Sequence, residues 1–268
     1  MTAAPRHLQE LLALAGDLAY DAGQVHVDGL RSALRIETKS TQSDLVSQVD
    51  REAERLIVDR LREARPDDAL LAEEGSQKSG TTGVRWVIDP LDGTTNYVYG
   101  YPAFAVSIAV EIDGEPRIGV VYDSSAGHMY RALVGFGAVC DDRPLRVGEP
   151  PAISNALVAT GFSYEAAQRE HQGLIVSRIV GRVRDIRRGG SAALDLCRVA
   201  AGHVDAYWEL GLSPWDYAAG GVIAREAGAD VRFLAVANRK GPAVVAAPPA
   251  LMPDFLSLLR EAGALIPA

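Results

Sequence analysis

The chain has 268 residues, 48% apolar and 23% charged, with a formal net charge of -8. That length allows one large domain or two closely packed ones with ample core, and the composition is that of an ordinary soluble protein. The sequence shows no run of roughly 18 apolar residues for a membrane span and no basic-then-apolar leader. The net charge argues against general nucleic-acid binding, which wants a basic face. The expectation is a cytoplasmic protein with neither a membrane nor a direct nucleic-acid partner.

In chain order, Leu8, Leu11, Leu12, Ala15, Leu18, Ala19, Ala22 and Val25 recur at three and four residues and predict an amphipathic helix. His7 and His26 fall at its ends and read as surface residues. Residues 35–43 are polar and aperiodic, a loop. The segment 44–50 follows, and then a second amphipathic helix through Ala64. Asp50 falls in or just before its first turn, where a carboxylate is favoured, and capping alone would account for it. A short apolar run, 69–72, delivers Glu73 and Glu74 to Gly75. On a strand, neighbours face opposite ways, so only one of the two acids can join a given site directly.

Residues 84–88 read as a strand stopped by Pro90, which cannot donate to a ladder. Asp89 and Asp92 flank Pro90-Leu91, Gly93 allows a tight turn, and Thr94 and Thr95 follow. Two carboxylates on a rigid turn beside hydroxyls suit a hard cation next to a phosphate, although an ordinary turn uses the same residues. Beyond it, strands over 104–110, 117–122, 127–134 and 137–140 run consecutively, as in an antiparallel meander. His128 lies there without a partner nearby in sequence and reads as structural. Cys140 and Cys197 lack ligand-spaced neighbours and read as reduced, mostly buried thiols.

Prolines 144, 150 and 151 mark a soft boundary between a part spanning 1–148 and a part spanning 149–268, expected to form one compact unit. The second part alternates: a strand over 155–160, a helix over 168–180, a strand over 183–187, a helix after Gly189-Gly190-Ser191-Ala192, a strand over 204–208 ending at Glu209, and a helix from Trp215-Asp216. A strand, a loop (237–242), another strand and a final helix to about Leu265 complete it. The Gly-Gly-Ser segment serves equally as an anion cradle or as a helix cap. Asp216 sits where a capping Asp would. The basic cluster 182–188 alternates like a strand and reads as solvated, with a local anion contact as the other reading.

Each acid has a local explanation, yet Glu73, Asp89, Asp92 and Asp216 all fall at strand ends or helix starts, where loops converge. Together they offer oxygen ligands for more than one divalent cation, the arrangement that clamps an in-line phosphoryl transfer. Asp50 and Thr94 add a carboxylate and a hydroxyl that could work through a water. No serine or cysteine has an identifiable base partner, which disfavours a covalent route.

The segments W-V-I-D-P-L-D-G-T-T-N-Y-V-Y (86–99) and W-D-Y-A-A-G (215–220) closely resemble the inositol monophosphatase family of magnesium-dependent, lithium-sensitive phosphatases. K-S-T-Q-S-D-L-V-S-Q-V-D (39–50), A-E-E-G (72–75) and G-G-S-A-A-L-D-L-C (189–197) support the resemblance, which extends over nearly the whole chain. It implies a layered α-β-α-β-α sandwich of the α/β (α+β) class, shared with fructose-1,6-bisphosphatase, a homodimer, and two or three Mg2+ per active site. Glu73, Asp89, the Leu91 carbonyl and Thr94 would ligate the tightest ion, and Asp89, Asp92 and Asp216 the second. A third, weak ion would sit near Glu73. Asp50 and Thr94, with Glu73, would activate water.

The same resemblance has the Gly93 and Thr94 amides hold the phosphate, and Glu209 with Gly190, Ser191 and Ala192 contact the polyol beside Asp92 and Asp216. Lys39 would lie on a loop closing over the metals. Ser47, Ala72 and Gly75 depart mildly from the family pattern, and the segment after Ala229 is shorter. The implied reaction is hydrolysis of inositol monophosphate. Histidinol phosphate, fructose 1,6-bisphosphate and nucleotide 3'-phosphates are alternative substrates. Service as a binding partner of the transcription machinery is the alternative from another class.

Overall fold

The computed structural model describes residues 4–33, 42–149, 152–236 and 241–265. Two packed helices, α1 (Arg6–Ala33) and α2 (Gln42–Ala64), cover one face of an eight-stranded sheet. The sheet runs β2-β1-β3-β4-β5-β6-β7-β8. Its strands are β1 (Ala69–Ala72), β2 (Gln77–Lys78), β3 (Val84–Asp92), β4 (Ala105–Ile112), β5 (Glu115–Asp123), β6 (His128–Leu133), β7 (Gly137–Cys140) and β8 (Arg143–Pro144). A short helix, α3 (Thr94–Tyr99), follows β3. From β3 onward the strands form the expected antiparallel meander, while β1 lies parallel to β3.

The second sheet runs β10-β9-β11-β13-β12. Its strands are β9 (Leu157–Thr160), β10 (Asp185–Arg187), β11 (Ala206–Leu210), β12 (Asp230–Leu234) and β13 (Ala243–Ala247). The helices of this half are α4 (Ala166–Ile179), α5 (Ala192–Ala200), α6 (Pro214–Glu226) and α7 (Met252–Glu261). Strands β9, β10 and β11 are mutually parallel.

The apolar clusters define the layers. Leu18, Ala22 and Ile57 of α1 and α2 pack on Trp86, Ile108 and Ile118 of the first sheet. The opposite face of that sheet, with Val87, Ala109 and Val121, meets Leu194, Ala219 and Val222 of α5 and α6. Leu196 and Ala224 turn the other way, toward Tyr207 and Val244 of the second sheet. Ile175 and Phe255 of α4 and α7 close the far side. The result is the expected α-β-α-β-α sandwich. The α5–α6 layer is buried on both sides, which accounts for its wealth of Ala and Gly. A Cβ on Gly119 of β5 would sit 2.3 Å from the Ala219 carbonyl, so α6 lies almost against the strand backbone.

Three local expectations are corrected. α1 does not end near Val25 but runs on to Ala33, which makes His26 interior: it is fully buried. α2 begins at Gln42, so Asp50 lies more than two turns inside it and caps nothing. β3 continues through Pro90 as far as Asp92, with a register shift that leaves one extra residue between Asp89, opposite Ser107, and Asp92, opposite Ala105. Proline lacks the ladder donor, and the strand accommodates it as a bulge rather than stopping. No helix among the described residues is long and apolar enough to cross a membrane.

Candidate active site

The carboxyl ends of the parallel strands from both sheets open onto one cleft, the place where ligands bind in open α/β sheets. β1 delivers Glu73, and the β3 bulge delivers Asp89, Leu91 and Asp92, followed by Gly93 and Thr94. β9 delivers Gly161 and Phe162, β10 delivers Arg188 and Gly190, β11 delivers Glu209, and α6 delivers Asp216. All of these line a cleft of about 540 Å3, its open mouth included. Ala192, Tyr164 and Leu212 complete the wall.

The bulge is held from three sides. The Leu91 amide donates to Asp89 Oδ1 at 3.0 Å, closing a tight turn on the acid itself. The Thr94 hydroxyl donates to the Leu91 carbonyl at 3.1 Å. From behind, His26 Nε2 lies 2.9 Å from the Pro90 carbonyl and Nδ1 lies 2.7 Å from Ser124 Oγ. A carbonyl only accepts, so Nε2 carries the proton and Nδ1 accepts from the serine hydroxyl. Burial lowers the His26 pKa to about 4, which keeps the ring neutral in this role. His26→Ala would strand the Pro90 carbonyl in the interior and is expected to cost about 1–3 kcal/mol of stability, read by urea unfolding. An unchanged midpoint would show that the ring does not support the bulge.

Gly93 has φ 92°, and a Cβ there would lie 2.7 Å from the Ala103 carbonyl, so this turn requires glycine. Asn96, in the first turns of α3, donates from Nδ2 to the carbonyls of Ala103 (2.7 Å) and Gly189 (2.9 Å), tying the two halves of the cleft together.

Asp92 is built into the start of α5. Its Oδ2 accepts from the Ser191 hydroxyl at 2.6 Å and from the Ala193 amide at 2.8 Å. Ser191 is also the helix cap, accepting from the Leu194 amide. The structure therefore turns the Ser191 hydroxyl toward Asp92, behind the cleft wall that Gly190 and Ala192 form. Asp216 is likewise a capping residue, at the third position of α6, accepting from the Ser213 amide at 2.6 Å. The carboxylate of Glu54, on α2, accepts from the amides of Glu74 (2.9 Å) and Ser76 (3.1 Å) and so holds the turn that presents Glu73. Glu73 reaches the cleft and Glu74 does not line it. Asp50 is buried among Glu73, Glu74 and Glu54, behind the wall rather than on it. Lys39 lies outside the described residues.

Among the described residues, five carboxyl groups face this cleft against one guanidinium, that of Arg188. The cluster shows the strain. Burial first, then the neighbouring acids, lifts Asp216 to about 8 and Asp50 to about 8. Glu73 rises to about 7, chiefly by burial, and shares a hydrogen bond with Asp89. Glu209, raised to about 7 by burial, accepts from the Tyr207 hydroxyl at 2.8 Å and lies where any Cβ on Gly161 would fall. A cleft lined with so many carboxylates binds a phosphate ester only once cations stand between them.

The model of the inositol monophosphatase family matches residues 7–263. The chain belongs to the inositol monophosphatase family. The inositol-1-monophosphatase SuhB of Mycobacterium tuberculosis is 45% identical over 244 residues, covering 87% of this chain and 83% of that one. The Nus factor SuhB of Vibrio cholerae is 40% identical over 261 residues, covering 96% and 98%. The solved structure of Mycobacterium tuberculosis SuhB superposes with a TM-score of 0.84 at 41% identity, covering 96% of this chain and 98% of that one. As a member of the inositol monophosphatase family the chain is a phosphoric monoester hydrolase, and the family is generally metal-dependent.

Sequence reasoning missed several residues of this site. The solvated-strand reading of the cluster 182–188, with a local anion contact as its alternative, does not single out Arg188, which follows the last residue of β10 and lines the cleft. Phe162 and Tyr164 follow β9, and the signal for them was the Gly161 that ends that strand. His26 continues the buried stripe four residues after Ala22, a spacing that could have found it.

Proposed function

We propose that this chain is a magnesium-dependent phosphomonoesterase that hydrolyses inositol monophosphate. The observation that carries the reading is the donor set. The candidate metal ligands in the cleft, Glu73, Asp89, Asp92, Asp216, Thr94 and the Leu91 carbonyl, are all oxygen donors, which suit magnesium rather than a softer ion. Two or three ions would be held by that set. Bound magnesium neutralises phosphate charge, polarises the phosphoryl group and makes water nucleophilic at neutral pH.

The protein's own groups supply placement. The Gly93 and Thr94 amides would hold the phosphate, at a turn fixed by Gly93 and Asn96. Thr94 Oγ1 donates to Leu91 and keeps lone pairs to accept from the attacking water. Glu73, which lines the cleft, would take up the proton that water releases, and Asp50, behind the wall, would receive it only by relay. Glu209, Gly190 and Ala192 bound the side where the alcohol sits, with the Tyr207 hydroxyl orienting Glu209. Arg188 is the one fixed positive charge among the described residues of the wall. Lithium inhibition, a homodimer and a cytoplasmic location belong to the same proposal.

The test is phosphate release from inositol 1-phosphate with and without magnesium, beside histidinol phosphate, fructose 1,6-bisphosphate and a nucleotide 3'-phosphate. Magnesium-dependent release fastest from the inositol ester is the expected result. Preference for another ester moves the substrate, and no release from any overturns the proposal. The name of the Vibrio cholerae relative motivates a second reading, a partner of the transcription machinery. Asp92→Asn should retain such a partner in a pull-down if that role is separate from catalysis.

A further inference from the structure

We propose that the outer end of the β6–β7 hairpin is a second metal site, for a zinc-class divalent cation, held by His128, Cys140 and Asp141. One imidazole nitrogen, one thiol sulfur and one carboxylate oxygen here all lie within 4.8 Å of one another. The sequence expectation for these residues is corrected: His128 has an acidic partner, thirteen positions away across the hairpin, and Cys140 is neither deeply buried nor isolated. His128 Nδ1 is 2.6 Å from Asp141 Oδ2, and Cys140 Sγ is 3.9 Å from the same oxygen.

The three donors are oriented before any ion arrives. Asp141 Oδ1 is occupied by the Met129 amide at 2.9 Å, which leaves Oδ2 to point at the imidazole and the thiol. Tyr130, paired across the ladder with Cys140, also hydrogen-bonds the thiol. Such outer contacts fix ligand direction in metal sites. Asp141 and Asp142 form the two-residue turn between β7 and β8 with φ of 46° and 68°. Turns of this kind favour Asn-Gly or Asp-Gly, so a second aspartate there is unfavourable for the backbone.

His128 and Asp141 are solvent-exposed and Cys140 is partly so, which leaves an entry path. The cavity they open onto is also lined by His203, from the turn after α5, and by Arg143. Three donors leave one tetrahedral position open, which water can take. Thiolate and imidazole select zinc or cobalt over magnesium, so this site and the oxygen-lined cleft divide the metals between them by ligand softness.

Cobalt(II) titration of the full-length protein in saturating magnesium tests this. A thiolate-to-cobalt charge-transfer band in the near ultraviolet is expected, with one cobalt per chain associated with it. An all-oxygen cleft cannot produce that band, and Cys197, wholly buried, is not available to do so. Cys140→Ser should abolish the band, and His128→Gln or Asp141→Asn should weaken the affinity behind it by about tenfold or more. Asp92→Asn, in the cleft, should leave it in place. Absence of the band, or a band that survives Cys140→Ser, would overturn the assignment and reduce the cluster to a surface ion pair beside a thiol.

Discussion

Replacing Asp92 with Asn is expected to lower phosphate release by about a thousandfold or more while the metal-free melting temperature stays at or above that of the parent. The first half follows from the position of the carboxylate. Asp92 is buried in the cleft wall, and burial raises its pKa against the opposing hydrogen bonds from Ser191, Ala193 and Ala192. Its Oδ2 is committed to the start of α5, and the carboxylate as a whole lines the cleft. Removing a ligand charge from a site that clamps phosphate is worth several kcal/mol of transition-state stabilisation, and about 4 kcal/mol is a factor of about a thousand.

The second half follows from what asparagine keeps. Its amide oxygen still accepts from the Ser191 hydroxyl and the Ala193 amide, so the α5 cap survives. Loss of the charge also relieves repulsion on Asp89 and Asp216, whose pKa values Asp92 helps to raise. Steady-state phosphate release and a thermal melt in chelator check both halves together. Parent-like turnover would remove Asp92 from the machinery. A lowered melting temperature would make it chiefly a cap for α5.

The parts of the site legible in the sequence are those whose causes are local. Asp89, Asp92 and Gly93 could be read because proline, glycine and the bulge they produce act within five residues. Asp216 could be read because a capping acid after Ser213-Pro214 marks a helix start wherever that helix goes. Most of the helices and strands were legible through periodicity, since strand alternation and helical spacing are properties of short windows, while their layering came from the family resemblance.

What escaped depends on contacts between distant segments. His26 looked like the end of a helix because its partners, Pro90 and Ser124, are 64 and 98 residues away. Asp50 was placed at a helix start because the polar stretch before it carries no helical period, although α2 begins at Gln42. Glu54 gave no signal at all: its role is to accept two amides from a turn twenty residues on. The His128–Asp141 contact needed the hairpin register, which sets β6 against β7 and cannot be read from spacing alone.

The metal-free protein is expected to lose stability as pH rises from about 5 to about 8, and magnesium is expected to restore it. The direction follows from the acids. Asp50 and Asp216 are raised to about 8, and Glu73 and Glu209 to about 7, from ordinary carboxylate values near 4. In that window the native state holds protons that the unfolded chain has released, so raising pH favours unfolding. Buried His26, lowered to about 4, works in the opposite sense below about pH 6.5, one group against four acids. A ligand bound only by the native state stabilises it by about 2.7 kcal/mol at a hundred times its Kd. For a chain of this size that corresponds to a rise of roughly 5–10 °C in melting temperature.

The two effects should be coupled. Cation and protons compete for the same oxygens, so the magnesium-induced rise should be larger at pH 8 than at pH 6. Thermal melts at the two pH values, in chelator and in magnesium, read all four corners of this cycle. A melting temperature in chelator that climbs between pH 5 and 8 would contradict the clustering of these acids. An equal magnesium shift at both pH values would mean that the ion does not displace protons from Glu73, Asp89, Asp92 and Asp216. Asp92→Asn sharpens the comparison, because removing one of the crowded charges should flatten the pH dependence and shrink the magnesium shift together.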